Sequence, residues 1–212
     1  MVEARHPLVA EPFFLFAGFA KWRSMLIMSD LHIGKTMHFR KAGLPIPAKA
    51  RDADFARLIQ IFDEHRPETV IVLGDLFHSS FNSEMEELSM ITSSFGNINF
   101  RLVIGNHDIL DPSIYRSLDF ECSHSLAFDN LVMTHEPMEH LSQGSVNIHG
   151  HIHPGVHLKG KARQSISAPC FHFSTNHICL PAFGSLTGHV KTKVKKGDQL
   201  FAIVNNQVLA LG

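Results

Sequence analysis

The chain has 212 residues, of which 44% are hydrophobic and 18% charged, a globular composition that excludes a long disordered tail. This length suits one domain with a large core, which we predict to span residues 1–212. The formal net charge of −1 excludes binding to polyanions through bulk positive charge alone. The 16 histidines nearly equal the 19 lysines and arginines, and this excess indicates metal ligation for several of them.

Cysteine usage and the apolar runs bear on the compartment. Three cysteines without a Cys-x-x-Cys pair indicate no disulfide framework, which predicts a cytoplasmic protein. The apolar run at residues 12–20 is too short to span a bilayer, and Glu3 and Glu11 argue against a secretory signal. We therefore expect no membrane association.

Strands and helices alternate in the first half of the chain. Apolar runs predict strands at Phe13–Ala20, Met25–Ser29, Thr69–Leu73 and Phe100–Ile104. Helical periodicity predicts a helix at Ala48–His65, ended by Pro67, and a second helix with Ser83 as its N-cap. The second helix should bury one apolar face, formed by Met85, Leu88, Ile91 and Phe95.

The second half contains mainly short strand-like runs. They lie at Leu126–Phe128, Leu131–Thr134, Val146–His149, Ser165–Ala168, Phe171–Ser174, His177–Leu180, Leu200–Val204 and Gln207–Leu211. A β-α-β-α-β half followed by a strand-rich half predicts an α/β fold, or α+β in some schemes. We expect two mixed sheets packed face to face and flanked by helices.

Five short motifs each follow a predicted strand. They are Ser29-Asp30-Leu31-His32, Gly74-Asp75, Gly105-Asn106-His107-Asp108, Thr134-His135 and Gly150-His151-Ile152-His153. Two of them are weak alone, since Gly-Asp is a common turn and Asp-x-His is more often a turn with a surface histidine, whereas the motifs at residues 105–108 and 150–153 are more specific. Together they supply oxygen and nitrogen ligands without cysteine, which favours a pair of divalent ions over a structural zinc. Open α/β sheets bind ligands at the carboxyl ends of their strands, where all five motifs fall.

The order and residue types of these motifs resemble the calcineurin-like metallophosphoesterase superfamily. The resemblance implies its fold and a phosphoester hydrolase in which a hydroxide bridging two metals attacks phosphorus. It implies that Asp75 bridges the two ions. The first ion would be held by Asp30, His32, Asp75 and His153, and the second by Asp75, Asn106, His135 and His151.

Two further histidines are candidate catalytic residues. In this superfamily His107 would not be a ligand but would protonate the leaving oxygen or stabilise charge on it, the alternative being a histidine that caps the turn. Many family phosphatases have a carboxylate three residues after the bridging aspartate, where this chain has His78. The run Gly74-Asp75-Leu76-Phe77-His78 is similar to that of SbcD-type DNA repair nucleases, and the alternative is a surface loop histidine. Asp108 should orient the backbone or a ligand.

Four longer stretches resemble one branch, the bacterial ligase-associated DNA-damage-response endonucleases. They are Asp30-Leu31-His32-Ile33-Gly34-Lys35 through Phe39-Arg40, Gly43-Leu44-Pro45-Ile46-Pro47, Thr134-His135-Glu136-Pro137, and Leu180-Pro181-Ala182-Phe183-Gly184 with Leu186-Thr187-Gly188. The resemblance implies a manganese-dependent DNA endonuclease of a repair system that also contains a DNA ligase, a helicase and an exonuclease. Iron, zinc and nickel remain alternative metals for such ligands.

Other functions and roles remain open from the sequence. A small-molecule phosphodiesterase or phosphatase, acting for example on cyclic nucleotides, would use the same metals, and a non-catalytic binding module is a remote alternative. Arg40 and Lys35 either hold a substrate phosphate or belong to a solvated loop. The lysines of residues 191–196 indicate a protected edge strand, or else nucleic-acid contact.

Overall fold

The computed structural model describes residues 1–35, 48–78, 83–159 and 165–211. Its first sheet has its strands side by side in chain order: β1 (Val2–Ala4), β2 (Phe13–Phe16), β3 (Phe19–Trp22), β4 (Met25–Met28), β5 (Thr69–Leu73), β6 (Asn99–Val103) and β7 (Phe120–Ser123). Strands β1 to β4 pair antiparallel, whereas β4 to β7 pair parallel. The parallel part is connected by helices α1 (Ala48–His65), α2 (Ser83–Ser94) and α3 (Pro112–Ser117).

The second sheet is formed by the rest of the chain. Its strands are β8 (Leu126–Phe128), β9 (Leu131–Met133), β10 (Val146–His149), β11 (Pro154–Lys159), β12 (Ser165–Phe173), β13 (His177–Cys179), β14 (Val190–Lys191), β15 (Gln199–Val204) and β16 (Gln207–Leu211). The main order is β14-β11-β12-β13-β10-β9-β8, with β15 between β12 and β16. Strands β9, β10 and β13 are parallel, so this sheet is also mixed.

Alternation along the central strands divides the core into two layers. In β4, Met25 and Ile27 pack between the two sheets, whereas Leu26 and Met28 pack under the helices. Because both faces of such a strand are covered, its sequence is continuously apolar. The predicted architecture, two mixed sheets packed face to face with helices outside the first, is confirmed.

The outer face of the second sheet is more polar. Ile148 and Phe171 point into the core between the sheets, so their strand neighbours His149 and His172 lie on the opposite face. A small apolar cluster around Cys170 and Ala202 covers part of that face. Among the described residues, no helix is long and apolar enough to cross a membrane.

Several predicted boundaries are wrong. The run Phe13–Ala20 forms two strands, because Ala17 and Gly18 make a hairpin turn with Gly18 at φ +88°. The runs Ser165–Ala168 and Phe171–Ser174 form one strand, β12. Strand β6 begins at Asn99 and ends before Ile104, whereas α1 has its predicted bounds. The sequence analysis missed the strands β1, β7 and β11 and the short helix α3, and the edge strand that it predicted within residues 191–196 is limited to β14.

Candidate metal centre

The five motifs meet at one end of the two packed sheets. Asp30, Asp75 and Asn106 follow the parallel strands β4, β5 and β6, so they leave the first sheet at the same edge. His135 and His151 follow β9 and β10, which are parallel neighbours in the second sheet. Side chains of the two sets of loops are in contact, for example His153 with Asp30 and His135 with Asn106.

Five of the predicted ligands have left-handed backbone conformations. Their φ angles are 55° at Asp30, 48° at His32, 55° at Asp75, 63° at His151 and 49° at His153. Such angles cost roughly 1 kcal/mol or more for a residue with a Cβ atom. Strain concentrated in this way is typical of a functional site, because the surrounding structure must hold each loop in its conformation.

Asp30, His32, Asp75 and His153 form the first group. His153 Nε2 lies 3.0 Å from Asp30 Oδ1, yet neither buried atom has a hydrogen-bond partner among the described residues. His32 Nε2 lies 3.7 Å from Asp75 Oδ2. Potential ligand atoms of Asp30, His32 and His153 all lie within 4.8 Å of one another. Two orphaned buried polar atoms beside further carboxylate and imidazole donors fit a divalent cation.

Asp75, Asn106, His135 and His151 form the second group. Asn106 Oδ1 lies 3.0 Å from His135 Nε2 and 3.1 Å from His151 Nδ1, and His135 Nε2 lies 3.4 Å from Asp75 Oδ1. His135 Nδ1 lies 2.8 Å from the carbonyl oxygen of Leu73. Because a carbonyl oxygen can only accept, Nδ1 carries the hydrogen and donates this bond, which leaves the Nε2 lone pair directed at the group, as metal-ligating histidines require.

The surroundings of Asp30 and His32 favour the protonation states in which these side chains bind a cation. Burial opposes ionisation of Asp30, but contacts with His153 and Ser29 outweigh it and hold the pKa of Asp30 below its ordinary value. Burial, assisted by the nearby charge of Lys35, lowers the pKa of His32 to about 3. Asp30 is therefore a carboxylate and His32 a neutral imidazole at pH 7, the forms that bind cations.

Asp108 fastens two ligand loops together. Its buried carboxylate accepts hydrogen bonds from the backbone amides of Asp75 (2.8 Å), Leu76 (3.0 Å) and Gly105 (2.9 Å). Burial raises the pKa of Asp108 to about 6, and the bonds from Gly105 and Asp75 oppose that rise. Asp108 was predicted to orient either the backbone or a ligand, and in the structure it bonds to backbone amides.

His107 and His78 stand together at the edge of the first group. Their rings are nearly parallel, 21° apart, with centroids separated by 5.6 Å. The His107 ring also meets His32 edge-on, with centroids 5.3 Å apart, and its backbone amide donates to Asp75 Oδ1 at 2.9 Å. The structure thus brings both predicted catalytic histidines beside the predicted ligands.

Two glycines of the motifs are required by close approach. A Cβ atom at Gly150 would overlap the Ser29 hydroxyl and lie 2.5 Å from Asp30 Oδ2. Gly74 has φ +77°, and a Cβ atom there would overlap the imidazole of His135. These glycines let the loops of the two sheets pack directly against each other.

The loop that follows β13 supports the centre, a role that the sequence did not reveal. The amides of Phe183 and Gly184 donate to the carbonyls of Ser29 and Asp30 at 2.8 and 3.2 Å. Arg57 of α1 donates to the Phe183 carbonyl at 3.2 Å, and its guanidinium lies 3.7 Å from the centroid of the Phe183 ring. The motif Leu180–Gly188 was recognised in the sequence, but its supporting role depends on these tertiary contacts and could not be deduced from it.

Of the two predicted phosphate-binding residues, Lys35 and Arg40, the structure describes only Lys35. Burial lowers the pKa of Lys35, and the charges of Asp30 and Asp75 counteract that shift, so Lys35 lies within electrostatic reach of both carboxylates. The prediction for Arg40 lies outside the described residues.

Comparisons with known proteins give the family of this chain and the solved structures that it resembles. The sequence model of the calcineurin-like phosphoesterase family matches residues 24–173. A crystal structure of the Pseudomonas putida nuclease MPE has a TM-score of 0.81 and 25% sequence identity, and the alignment covers 99% of this chain and 99% of that chain. No curated protein sequence matches significantly.

Two other solved structures show weaker likeness. The phosphoesterase Yfce from E. coli aligns with a TM-score of 0.44 and 13% identity, over 88% of this chain and 96% of that chain. A protein of unknown function from Aquifex aeolicus aligns with a TM-score of 0.45 and 19% identity, over 61% and 78% of the two chains. Neither superposition is close enough to support an argument about this chain.

Proposed function

The chain belongs to the calcineurin-like phosphoesterase family, and from this premise we propose that it is a two-metal phosphodiesterase that cuts DNA internally. The convergence of seven candidate ligands from five loops of two sheets carries the proposal. A phosphoesterase hydrolase that binds divalent metal ions follows from the family itself. The number of ions, their identity and the DNA substrate are the proposed parts.

The two groups of side chains are proposed to hold one ion each. Asp30, His32 and His153 would hold the first, Asn106, His135 and His151 the second, and Asp75 lies between the groups with one carboxylate oxygen toward each. When bound, the ions supply Lewis acidity toward water and toward the phosphoryl oxygens. Mixed carboxylate, amide and imidazole donors fit manganese, our proposed metal, and also iron, zinc or nickel.

His107 is proposed to give a proton to the leaving oxygen. Its ring is half-buried at the rim of the first group, between His32 and His78, where a leaving group can reach it. Its amide bond to Asp75 ties the position of the ring to the carboxylate shared by both groups. His78 is proposed to orient the His107 ring by stacking. Lys35 is proposed to contact a flanking phosphate oxygen.

DNA is the proposed substrate because the structure of this chain is similar to that of one nuclease. The nuclease MPE of Pseudomonas putida matches nearly the whole of both chains, which agrees with the branch resemblance in the sequence. A role in DNA repair beside a ligase, a helicase and an exonuclease, and a cytoplasmic location, remain predictions from the sequence. The net charge of −1 favours the second candidate, a phosphodiesterase acting on small molecules such as cyclic nucleotides.

A nicking assay tests the proposal. Covalently closed circular DNA is incubated with Mn²⁺-loaded protein, and nicked and linear products are separated on a gel. We expect wild-type protein to nick the DNA, and His107→Ala to lose about 10²- to 10⁴-fold in rate while binding as much manganese. His140→Ala removes an exposed histidine elsewhere and should cleave at the wild-type rate.

Each contrary result removes a definite part of the proposal. Wild-type cleavage by His107→Ala would reject the catalytic role of His107. Metal-loaded wild-type protein that hydrolyses cyclic nucleotides but leaves circular DNA intact would replace DNA by a small substrate. Absence of bound metal after incubation with Mn²⁺ would reject the two-metal site itself.

A further inference from the structure

A groove of about 410 Å³ lies next to the metal centre on the outer face of the second sheet. We call it the histidine groove, because His149, His172 and His177 line it. Ile152, which also lines it, is the residue between His151 and His153. The histidine groove therefore includes part of a loop that carries two of the proposed metal ligands.

Sheet register places the three imidazoles on one surface. His149 of β10 is paired with Cys179 of β13, and Cys179 is paired with His172 of β12. His177 precedes Cys179 by two residues and so faces the same side. The Nδ1 atom of His177 is buried and has no hydrogen-bond partner among the described residues. This nitrogen is a buried polar atom that nothing in the described part of the fold satisfies.

Lysines form the far side of the groove. Lys191 and Lys193 line it, and Lys195 and Lys196 follow on the same exposed segment. Within the described part of the chain, no aspartate or glutamate lines the groove. The nearby Asp198 is occupied by His172 Nε2 and by the amide of Lys195, each at 2.8 Å. The wall is therefore positive in a protein whose net charge is −1.

This segment is not simply a protected edge. Strand β14 contains only Val190 and Lys191 and pairs with β11, while Lys193, Lys195 and Lys196 lie beyond it. Protection against strand pairing explains lysine on an edge strand, but it does not explain lysines that line a groove leading to the metal centre. Local positive charge without bulk positive charge is what an enzyme needs to guide one polyanion into one site.

We propose that the histidine groove binds the phosphate backbone of the nucleic-acid strand that extends from the metal centre. This inference rests on the proposed nuclease function and adds the surface that holds the substrate. Lys191 and Lys193, which line the groove, contact backbone phosphates. Ile152, which is 43% exposed, offers an apolar contact to a sugar or base next to the cleaved bond.

The imidazoles do not form a third metal site. Three ligand atoms within 4.8 Å of one another occur, among the described residues, only in groups drawn from Asp30, His32, Asp75, His135 and His153. A single coordinated ion is therefore not the ligand that we infer for the groove.

The test compares a groove variant with a charge-matched control. Lys191→Ala/Lys193→Ala removes two charges from the groove, whereas Lys21→Ala/Lys159→Ala removes two charges from other strands of the two sheets. The substrates are a single-stranded DNA 12-mer, a dinucleotide and bis(p-nitrophenyl) phosphate. Cleavage is measured with Mn²⁺ as KM and kcat, and binding of the 12-mer is measured in Ca²⁺ over a range of salt concentrations.

We expect the groove variant to raise KM for the 12-mer at least about fivefold, and far more than KM for the two small substrates. Loss of two phosphate contacts should make the slope of log affinity against log salt shallower by about 1.4, since each contact on a single strand contributes about 0.7. The control double variant should keep the wild-type slope and the wild-type KM for the 12-mer.

The outcomes separate failure of the groove from failure of the nuclease function. Equal KM for the 12-mer in the groove variant and the control, with DNA still cleaved, would overturn the groove alone. An equal rise in KM for the dinucleotide and the 12-mer would show that the groove holds a small phosphate ester and not a strand. Hydrolysis of bis(p-nitrophenyl) phosphate without binding of the 12-mer and without cleavage of either the 12-mer or circular duplex DNA would overturn the nuclease function and the groove with it.

Discussion

The two sheets hold their ligand loops in different ways. In the first sheet, Asp108 ties the loops after β5 and β6 to each other through backbone amides. In the second sheet, the loops after β9 and β10 are held by the first sheet: His135 Nδ1 bonds the Leu73 carbonyl, and the His151 amide donates to Asp30 Oδ2 at 3.1 Å. The second sheet's ligand loops are therefore held against the first sheet, in addition to the bond that the Gly150 amide donates to the His135 carbonyl at 3.0 Å.

This difference shows that the metal centre is a product of sheet packing. The first sheet supplies Asp30, Asp75 and Asn106, and the second supplies the histidines that face them. The apolar layer between the sheets, which includes Ile27 and Ile148, brings the two sets of loops together. Changes at the contact between the sheets should therefore cost more than changes within either set of loops.

The largest effect should follow from Gly150→Ala. The new methyl group would overlap the Ser29 hydroxyl, so the loop that carries His151 and His153 must move away from Asp30. We expect a loss of about 3 kcal/mol in the free energy of unfolding and loss of tight manganese binding, measured by urea denaturation and calorimetric titration. Gly188→Ala is the control, because a Cβ atom there meets nothing within 4 Å. Wild-type metal affinity in Gly150→Ala would contradict the direct packing of the two loops.

A smaller effect should follow from Asp108→Asn, which loosens the first sheet's own loops. The amide group replaces one acceptor oxygen by a donor, so at least one of the amides of Asp75, Leu76 and Gly105 loses its partner in a buried place. We expect a loss of about 2 kcal/mol in the free energy of unfolding, measured in urea without added metal. The exposed Asp63→Asn should leave the urea midpoint unchanged. The same midpoint in both variants would show that Asp108 does not fasten these loops.

Arg57→Lys should have a third, still smaller effect. Arg57 donates to Ala17 and Phe183 and packs on the Phe183 ring, and lysine cannot make all three contacts. We expect a loss of about 1 kcal/mol in stability, with weaker manganese binding because the Phe183 loop supports Ser29 and Asp30. Arg116→Lys, at an exposed position of α3, is the control. Lower stability with unchanged metal affinity would restrict Arg57 to a structural role.

The smallest effect should be the pH dependence of stability that His6 causes at the periphery of the contact between the sheets. Its Nε2 lies 2.8 Å from the Ser174 carbonyl, and burial lowers its pKa despite that bond. In the unfolded chain His6 binds a proton near pH 6.5, whereas in the folded protein it does so only at lower pH. The stabilising contribution of neutral His6 is therefore present above pH 6.5 and lost as the pH falls below it. The urea midpoint of wild-type protein should fall more steeply between pH 7 and pH 5 than that of His6→Gln. Parallel curves would exclude His6 as a source of acid sensitivity.

The same comparison explains how much of the fold the sequence could predict. Strands buried on both faces, such as Thr69–Leu73 and Val146–His149, have continuous apolar runs and were predicted with their observed bounds. The missed strands are defined by their partners and not by their own pattern. Strand β11 begins with Pro154 and Gly155, which indicate a turn, yet it pairs along its length with β12.

The candidate ligands could be named from the sequence because their residue types and order are local information. Their supports are tertiary. No spacing rule relates Asp108 to the amide of Leu76, or Arg57 to the carbonyl of Phe183, 126 residues away. Nor did the sequence show that His172 and His177 would share a surface with His149, because that depends on the register of three strands.

The most direct test of the account is an anomalous diffraction measurement on crystals of the Mn²⁺-loaded protein. We expect two manganese peaks about 3.5–4 Å apart. One should lie among Asp30, His32, Asp75 and His153, and the other among Asp75, Asn106, His135 and His151. A single peak, or peaks away from Asp75, would contradict the claim that loops of both sheets jointly form a two-metal centre.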